Sequence, residues 1–199
     1  MEKQVRKAHE LWLTCQTLQA AIHEQPDGGD SLKPLAPELA AISEAAGVDN
    51  VLVAAVVAAV PEMALSRGVW SKQTLAGRFA HVRRVCRRVA MIDETGGTLA
   101  RFFLSYVQSL FVITSARTFG PEDEIDPAAL DTFAVIDNAS RALDAGDLER
   151  AVRFVGLLTG EAQRVAADWL CEARLTLEAS QAADALLSHA SAAGLAALG

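Results

Sequence analysis

Apolar residues along this chain recur mostly at spacings of three and four, the period of a helix with one buried face. Leu11, Cys15, Leu18 and Ile22 form such a stripe in a first amphipathic helix from Glu2 to about Gln25, and Pro26-Asp27-Gly28-Gly29-Asp30 breaks it. A second helix runs from about Pro37 to Ala46, with proline in its first turn and Gly47 at its close. Asp49 is the expected cap of a third, Asn50–Val60, and Pro61 opens a short turn ended by Gly68. After an extended Val69-Trp70 link, Ser71 is placed to cap a helix from Lys72 to about Ile92. Gly96-Gly97 separates it from a helix over Thr98–Ser115, and an acidic loop fills Gly120–Pro127. Three closely spaced helices follow: Pro127–Ala145, Asp147–Leu158 and Glu161 to about Ala179. Gly146 and Gly160 are their expected C-terminal caps, and Asp147 caps a helix start. The tail, 181–199, reads as a short fraying helix. In the Asp147 helix, Leu148, Ala151, Val152, Val155 and Leu158 make one stripe that needs neighbours to cover it.

The fold class expected is therefore all-α, a helical bundle of short amphipathic helices and helix hairpins. The whole of 1–199 is read as one domain, with 1–25 either its first helix or the end of a preceding coiled coil. Composition supports this. The 199 residues include 38 alanines, the strongest helix former, and only 11 aromatics. With 51% hydrophobic and 22% charged residues, the chain is neither disordered nor fibrous. The start, MEKQVRKAHELW, is charged and helical, unlike a secretory signal, and it reads as a cut from a longer protein. Leu99–Ala116 carries too many polar residues for a membrane span.

Charge changes the picture most. Met63–Ile92 holds Arg67, Lys72, Arg78, Arg83, Arg84, Arg87 and Arg88 with no acidic residue. The rest of the chain has 11 basic and 25 acidic residues, a balance of −14. A cationic segment in an acidic body points to a local contact with an anionic partner. On a helix, Leu75, Phe79, Val82, Cys86 and Val89 fall within an arc of about 80°, with Arg83, Arg84, Arg87 and Arg88 opposite or flanking and Arg78 at the border. A membrane-surface helix has this form: the apolar side sinks to the headgroup boundary and the arginines meet lipid phosphates. A bundle helix whose arginines pair with the acidic body has it too, as does a mixed case with the stripe buried and the cationic face presented to headgroups. Nucleic acid is not expected, because the overall basic charge and interleaved aromatics of such binders are missing.

Candidate chemistry is sparse. Cys15, Cys86 and Cys171 lie far apart, follow no zinc spacing and read as three buried thiols. His9, His23, His81 and His189 are isolated. Asp93-Glu94 and Glu122-Asp123-Glu124 read as a helix end and a solvated loop. No phosphate loop or nucleophile elbow occurs. No catalytic residue, metal ligand or cofactor is expected.

Longer blocks carry a resemblance. Arg67-Gly-Val-Trp-Ser-Lys-Gln-Thr-Leu-Ala-Gly-Arg-Phe, continuing to Arg87-Arg-Val-Ala-Met-Ile-Asp-Glu-Thr, is similar to the C-terminal domain of the mitofilin family. Ala8-His-Glu-Leu-Trp-Leu, Phe103-Leu-Ser-Tyr-Val-Gln-Ser-Leu, Gly146-Asp-Leu-Glu with Phe154-Val, and Gly160-Glu with Arg164 through Glu178 also fit, closest to animal forms. The resemblance implies a non-enzymatic scaffold of the MICOS complex at crista junctions. Such a protein is anchored in the mitochondrial inner membrane and projects this domain into the intermembrane space. It implies membrane binding and shaping, with an Arg-Phe pair at Arg78 and Phe79 on the lipid-binding helix beside Arg83, Arg84, Arg87 and Arg88. It also implies docking of a CHCH-domain MICOS subunit, assigned here to Asp168, Trp169, Glu172 and Arg174. For Trp169, on a stripe with Val165 and Ala173, core packing fits equally well. Self-association is a further expectation. The alternative is a protein-interaction and oligomerisation bundle without lipid contact.

Overall fold

The computed structural model describes residues 2–23, 32–90 and 131–198. Among them every regular element is a helix: α1 (Glu2–His23), α2 (Ala36–Ala46), α3 (Val51–Ala59), α4 (Glu62–Ser66), α5 (Lys72–Ala90), α6 (Thr132–Asp144), α7 (Leu148–Val155) and α8 (Gly160–Leu198). The all-α expectation holds. The expected break at Pro26–Asp30, the Gly96-Gly97 boundary, the Thr98–Ser115 helix and the acidic loop lie outside the described residues.

The chain divides into two compact units, Met1–Lys72 with Arg174–Gly199, and Gln73–Ala173. In the first, the α1 stripe of Leu11, Cys15, Leu18 and Ile22 packs with Leu35, Leu39 and Ile42 and with Ala179, Ala183 and Leu186 of α8. Two cross-contacts tie these helices: Gln19 Nε2 donates to Asp184 Oδ1 at 2.8 Å, and the Asn50 amide meets His189 Nε2 at 2.9 Å. Gly68 closes α4 at φ +95°. A β-carbon there would lie 2.1 Å from the Lys33 carbonyl oxygen, so the residue must be glycine for two reasons.

In the second unit, the turn of the α6–α7 hairpin follows its sequence signals, although α6 begins at Thr132 and not at the expected Pro127. Asp131 caps α6 by accepting from Ala134 N at 2.7 Å. At the other end Gly146 takes φ +79°. Its N–H reaches the Leu143 carbonyl at 2.9 Å and the Asp147 N–H reaches that of Ala142 at 2.8 Å, a closure that glycine permits. Asp147 then caps α7, accepting from Arg150 N at 2.9 Å.

Four local expectations are corrected. Asn50, not Asp49, caps α3, accepting from Val53 N at 3.2 Å, because it stands directly before the first helical residue. α7 ends at Gly156, and Gly160 opens the next helix instead of closing this one. The fraying tail does not exist as a separate element: α8 runs unbroken for 39 residues. Neither glycine nor proline interrupts 179–183, and Ala179, Ala183, Leu186 and Ala190 stay buried along one stripe. Finally, Cys171 is exposed while Cys15 and Cys86 are buried. It sits two residues from both Trp169 and Ala173, which turns it to the outer face of α8.

Candidate functional site

The second unit is organised around α5. Leu75, Phe79 and Cys86 of its apolar stripe are buried, and Val82 and Val89 are half-buried. Against them packs Trp169, itself 4% exposed. The Phe79 and Trp169 ring centroids are 4.8 Å apart at a tilt of 54°. The Trp169 Nε1–H donates to the Leu75 carbonyl at 2.9 Å. Cys86 Sγ lies 3.5 Å from the Ala162 carbonyl. Burial pushes the Cys15 and Cys86 thiols up to about 11, since a thiolate loses its hydration there.

With the stripe turned inward, the arginines are left on the other side. A groove of about 540 Å³ lies between α5 and α6, lined by Arg83, Arg84, Arg87 and Arg88 with Ser140 and Asp144, and on its apolar side by Phe79 and Leu143 among others. The four arginines differ sharply. Arg83 Nη1 donates to Ser140 Oγ at 2.9 Å. Arg87 forms an ion pair with Asp137, yet its Nε is shielded from water and donates to nothing among the described residues. Arg84 and Arg88 are exposed and have no hydrogen-bond or ion-pair partner among the described residues. Four guanidinium groups against the carboxylates of Asp137 and Asp144 leave two positive charges in excess. Holding Arg84 and Arg88 at i, i+4 costs a few tenths of a kcal/mol in like-charge repulsion. The helix C-terminal dipole offsets part of this for the last-turn Arg88. The arrangement can bind a phosphate oxyanion by charge-assisted, forked hydrogen bonds.

The structure therefore splits the expected lipid-binding set. Arg78 is exposed, and Arg83, Arg84, Arg87 and Arg88 line one groove; Phe79 also lines it, yet is only 2% exposed and belongs to the core. Its ring is not available to enter a bilayer in this fold. The expected partner-binding set is split too. Asp168 is exposed and Glu172 half-buried in the second unit, and Arg174 is exposed in the first. Of the two readings open for Trp169, the structure has core packing: its ring covers Phe79 and its N–H donates to the Leu75 carbonyl. Sequence reasoning missed Ser140 and Asp137. The signal was present in α6, whose polar residues at 137, 140 and 144 share one face.

No helix among the described residues is long and apolar enough to cross a membrane. No solved structure matches the chain. The family model described as Mitofilin, mitochondrial inner membrane protein, matches residues 1–191. The chain is similar to the MICOS complex subunit Mic60 of Drosophila melanogaster, 38% identical over 201 residues, covering 98% of this chain and 27% of that protein. It is similar to subunit MIC60-2 of Caenorhabditis elegans, 29% identical over 196 residues, with 96% and 30% covered. It is also similar to subunit MIC60 of Pyrenophora tritici-repentis, 31% identical over 158 residues, with 79% and 23% covered. The chain thus spans under a third of the length of these relatives. Matched by the family model over nearly its whole length, this chain belongs to the mitofilin family of mitochondrial inner membrane proteins.

Proposed function

We propose that the chain is a non-enzymatic scaffold module of a MICOS-type complex on the mitochondrial inner membrane, facing the intermembrane space, and that it meets anionic phospholipid through the arginine side of α5. The observation that carries this reading is the pair Arg84 and Arg88, exposed and without hydrogen-bond or ion-pair partners among the described residues, in a groove that already holds two more arginines. The apolar stripe is spent on the fold, so contact is electrostatic and superficial rather than by insertion. Each basic residue near an anionic surface is worth about 1 kcal/mol, which gives reversible binding steep in salt.

Protein contacts fall elsewhere. For the CHCH-domain subunit, the exposed Asp168 and the half-buried Glu172 of α8 are the candidates that remain in the second unit, with Arg174 tested by itself. Self-association draws support from the exposed apolar side chains of Val48, Val51, Leu52 and Met63 around α3. The test of the lipid reading is sedimentation with vesicles. Cardiolipin-containing vesicles carry the protein down, pure phosphatidylcholine vesicles do not, and salt releases it. Equal sedimentation with both lipids defeats the reading and leaves the purely protein-binding bundle.

A further inference from the structure

On the neighbouring face of α6, one residue beyond Ser140, lies a second cationic feature. A cavity of about 190 Å³ is lined by Asn138, Arg141, Asp147, Arg150 and Phe154, among others. Its volume is several times the roughly 30 Å³ share of a liquid water molecule. Arg141 Nε donates to the Asp137 backbone carbonyl at 3.3 Å. Its Nη2, however, is shielded from solvent and meets no acceptor among the described residues. The Arg150 guanidinium lies 5.8 Å from the centre of the Phe154 ring. Asn138 Nδ2 donates to the Ala134 carbonyl at 2.8 Å. The one carboxylate lining the cavity, Asp147, already accepts the Arg150 backbone N–H at the start of α7.

A guanidinium N–H removed from water without an acceptor is costly, and such a group in a folded protein needs an explanation. Here the cavity holds two guanidinium groups against one carboxylate, and the Arg141 Nη2–H finds no acceptor among the described residues, so an acceptor oxygen is what this group lacks. We propose that Arg141 and Arg150 form an oxyanion site at the α6–α7 hairpin, which takes a phosphate group. The inference goes beyond the lipid reading and stands without it, because none of these side chains lines the α5–α6 groove.

The test is a set of thermal melts in HEPES, with and without 10 mM inorganic phosphate, joined to phosphatidylglycerol-vesicle binding. Phosphate raises the parent melting temperature by about 5 °C. Arg141→Met, which replaces a half-buried cation and its unsatisfied Nη2–H by an apolar chain, melts no lower than the parent in HEPES alone and does not respond to phosphate. Arg150→Met, a second variant that keeps Arg141, responds more weakly than the parent. Arg84→Glu/Arg88→Glu keeps the full response, which separates this site from the groove. If free phosphate has no effect but Arg141→Met lowers vesicle affinity, the phosphate comes from a lipid headgroup and the site stands. If neither response depends on Arg141, or if Arg141→Met melts lower by the same amount with and without phosphate, the proposal is overturned.

Discussion

Phe79 and Trp169 lie 90 positions apart in the chain and form one tilted aromatic pair, locked by the Trp169 indole bond to the Leu75 carbonyl. This pair fixes which side of α5 faces in, and hence which side its arginines occupy. An Asp at 79 would bury an unpaired carboxylate against an indole. Phe79→Asp is expected to lose at least the about 3–5 kcal/mol of a core Phe truncation. In urea melts it is unfolded or close to it, and any loss of vesicle binding follows the loss of helicity. Trp169→Phe keeps most of the packing and loses the hydrogen bond, about 1 kcal/mol. A Phe79→Asp variant as stable as the parent would place the ring outside the core.

The groove arginines separate into two classes by stability. Arg84 and Arg88 are exposed and meet no partner among the described residues, so Arg84→Glu and Arg88→Glu each change stability by no more than about 0.5 kcal/mol. Arg87→Glu faces Asp137 with a like charge, and Arg83→Glu loses the Ser140 contact. Denaturant melts are expected to show both below the parent, with Arg87→Glu lower. For this reason charge reversal at 84 and 88 tests ligand binding more cleanly than reversal at 83 and 87.

Gly68→Ala combines a left-handed backbone with a collision. The αL conformation alone costs about 1–2 kcal/mol for a residue with a β-carbon. The Lys33 carbonyl at 2.1 Å adds to this, because the obstacle is backbone and cannot rotate away. A loss above about 2 kcal/mol is expected in equilibrium unfolding. By contrast, Gly47→Ala meets no atom within 4 Å and carries only the backbone cost.

The cysteines predict a reactivity order and a pH dependence. Alkylation of the folded protein at pH 8 is expected to modify Cys171 and to spare Cys15 and Cys86, which react only on unfolding. The Cys15 and Cys86 thiols are raised from 9.0 to about 11, so the folded state holds protons that the unfolded chain releases. Their contribution to stability is complete below about pH 9 and is lost as pH rises toward 11. Replacing both with alanine or valine flattens the alkaline limb of a stability–pH profile.

Much of the fold was legible because local chemistry determined it. Gly146 and Asp147 specify a helix stop and a helix start in two residues, and the stripes of α1, α5 and α7 name their buried faces. The errors fell where local signals compete or are silent. Asp49 and Asn50 are both good caps, and only the register of the first helical residue chooses between them. Residues 179–181 hold no breaker, so dividing α8 there had no physical basis. The site was half-legible. Charge and period picked out Arg78, Arg83, Arg84, Arg87 and Arg88, while Phe79 entered through the family resemblance and proved to be core. Which arginine meets Asp137 and which stays exposed depends on α6, some 50 residues away, and periodicity along α5 does not encode it. The same holds for Trp169: its apolar stripe was visible, its partner Phe79 was not.

The central claim is that the exposed arginines Arg84 and Arg88 of α5 bind anionic membrane. It is tested most directly by measuring cardiolipin-vesicle affinity of the parent and of Arg84→Glu/Arg88→Glu, with helicity and melting checked in parallel. At about 1 kcal/mol per basic residue, the variant is predicted to bind roughly 30-fold more weakly or worse while remaining fully folded. A folded variant that binds these vesicles as tightly as the parent would contradict the account.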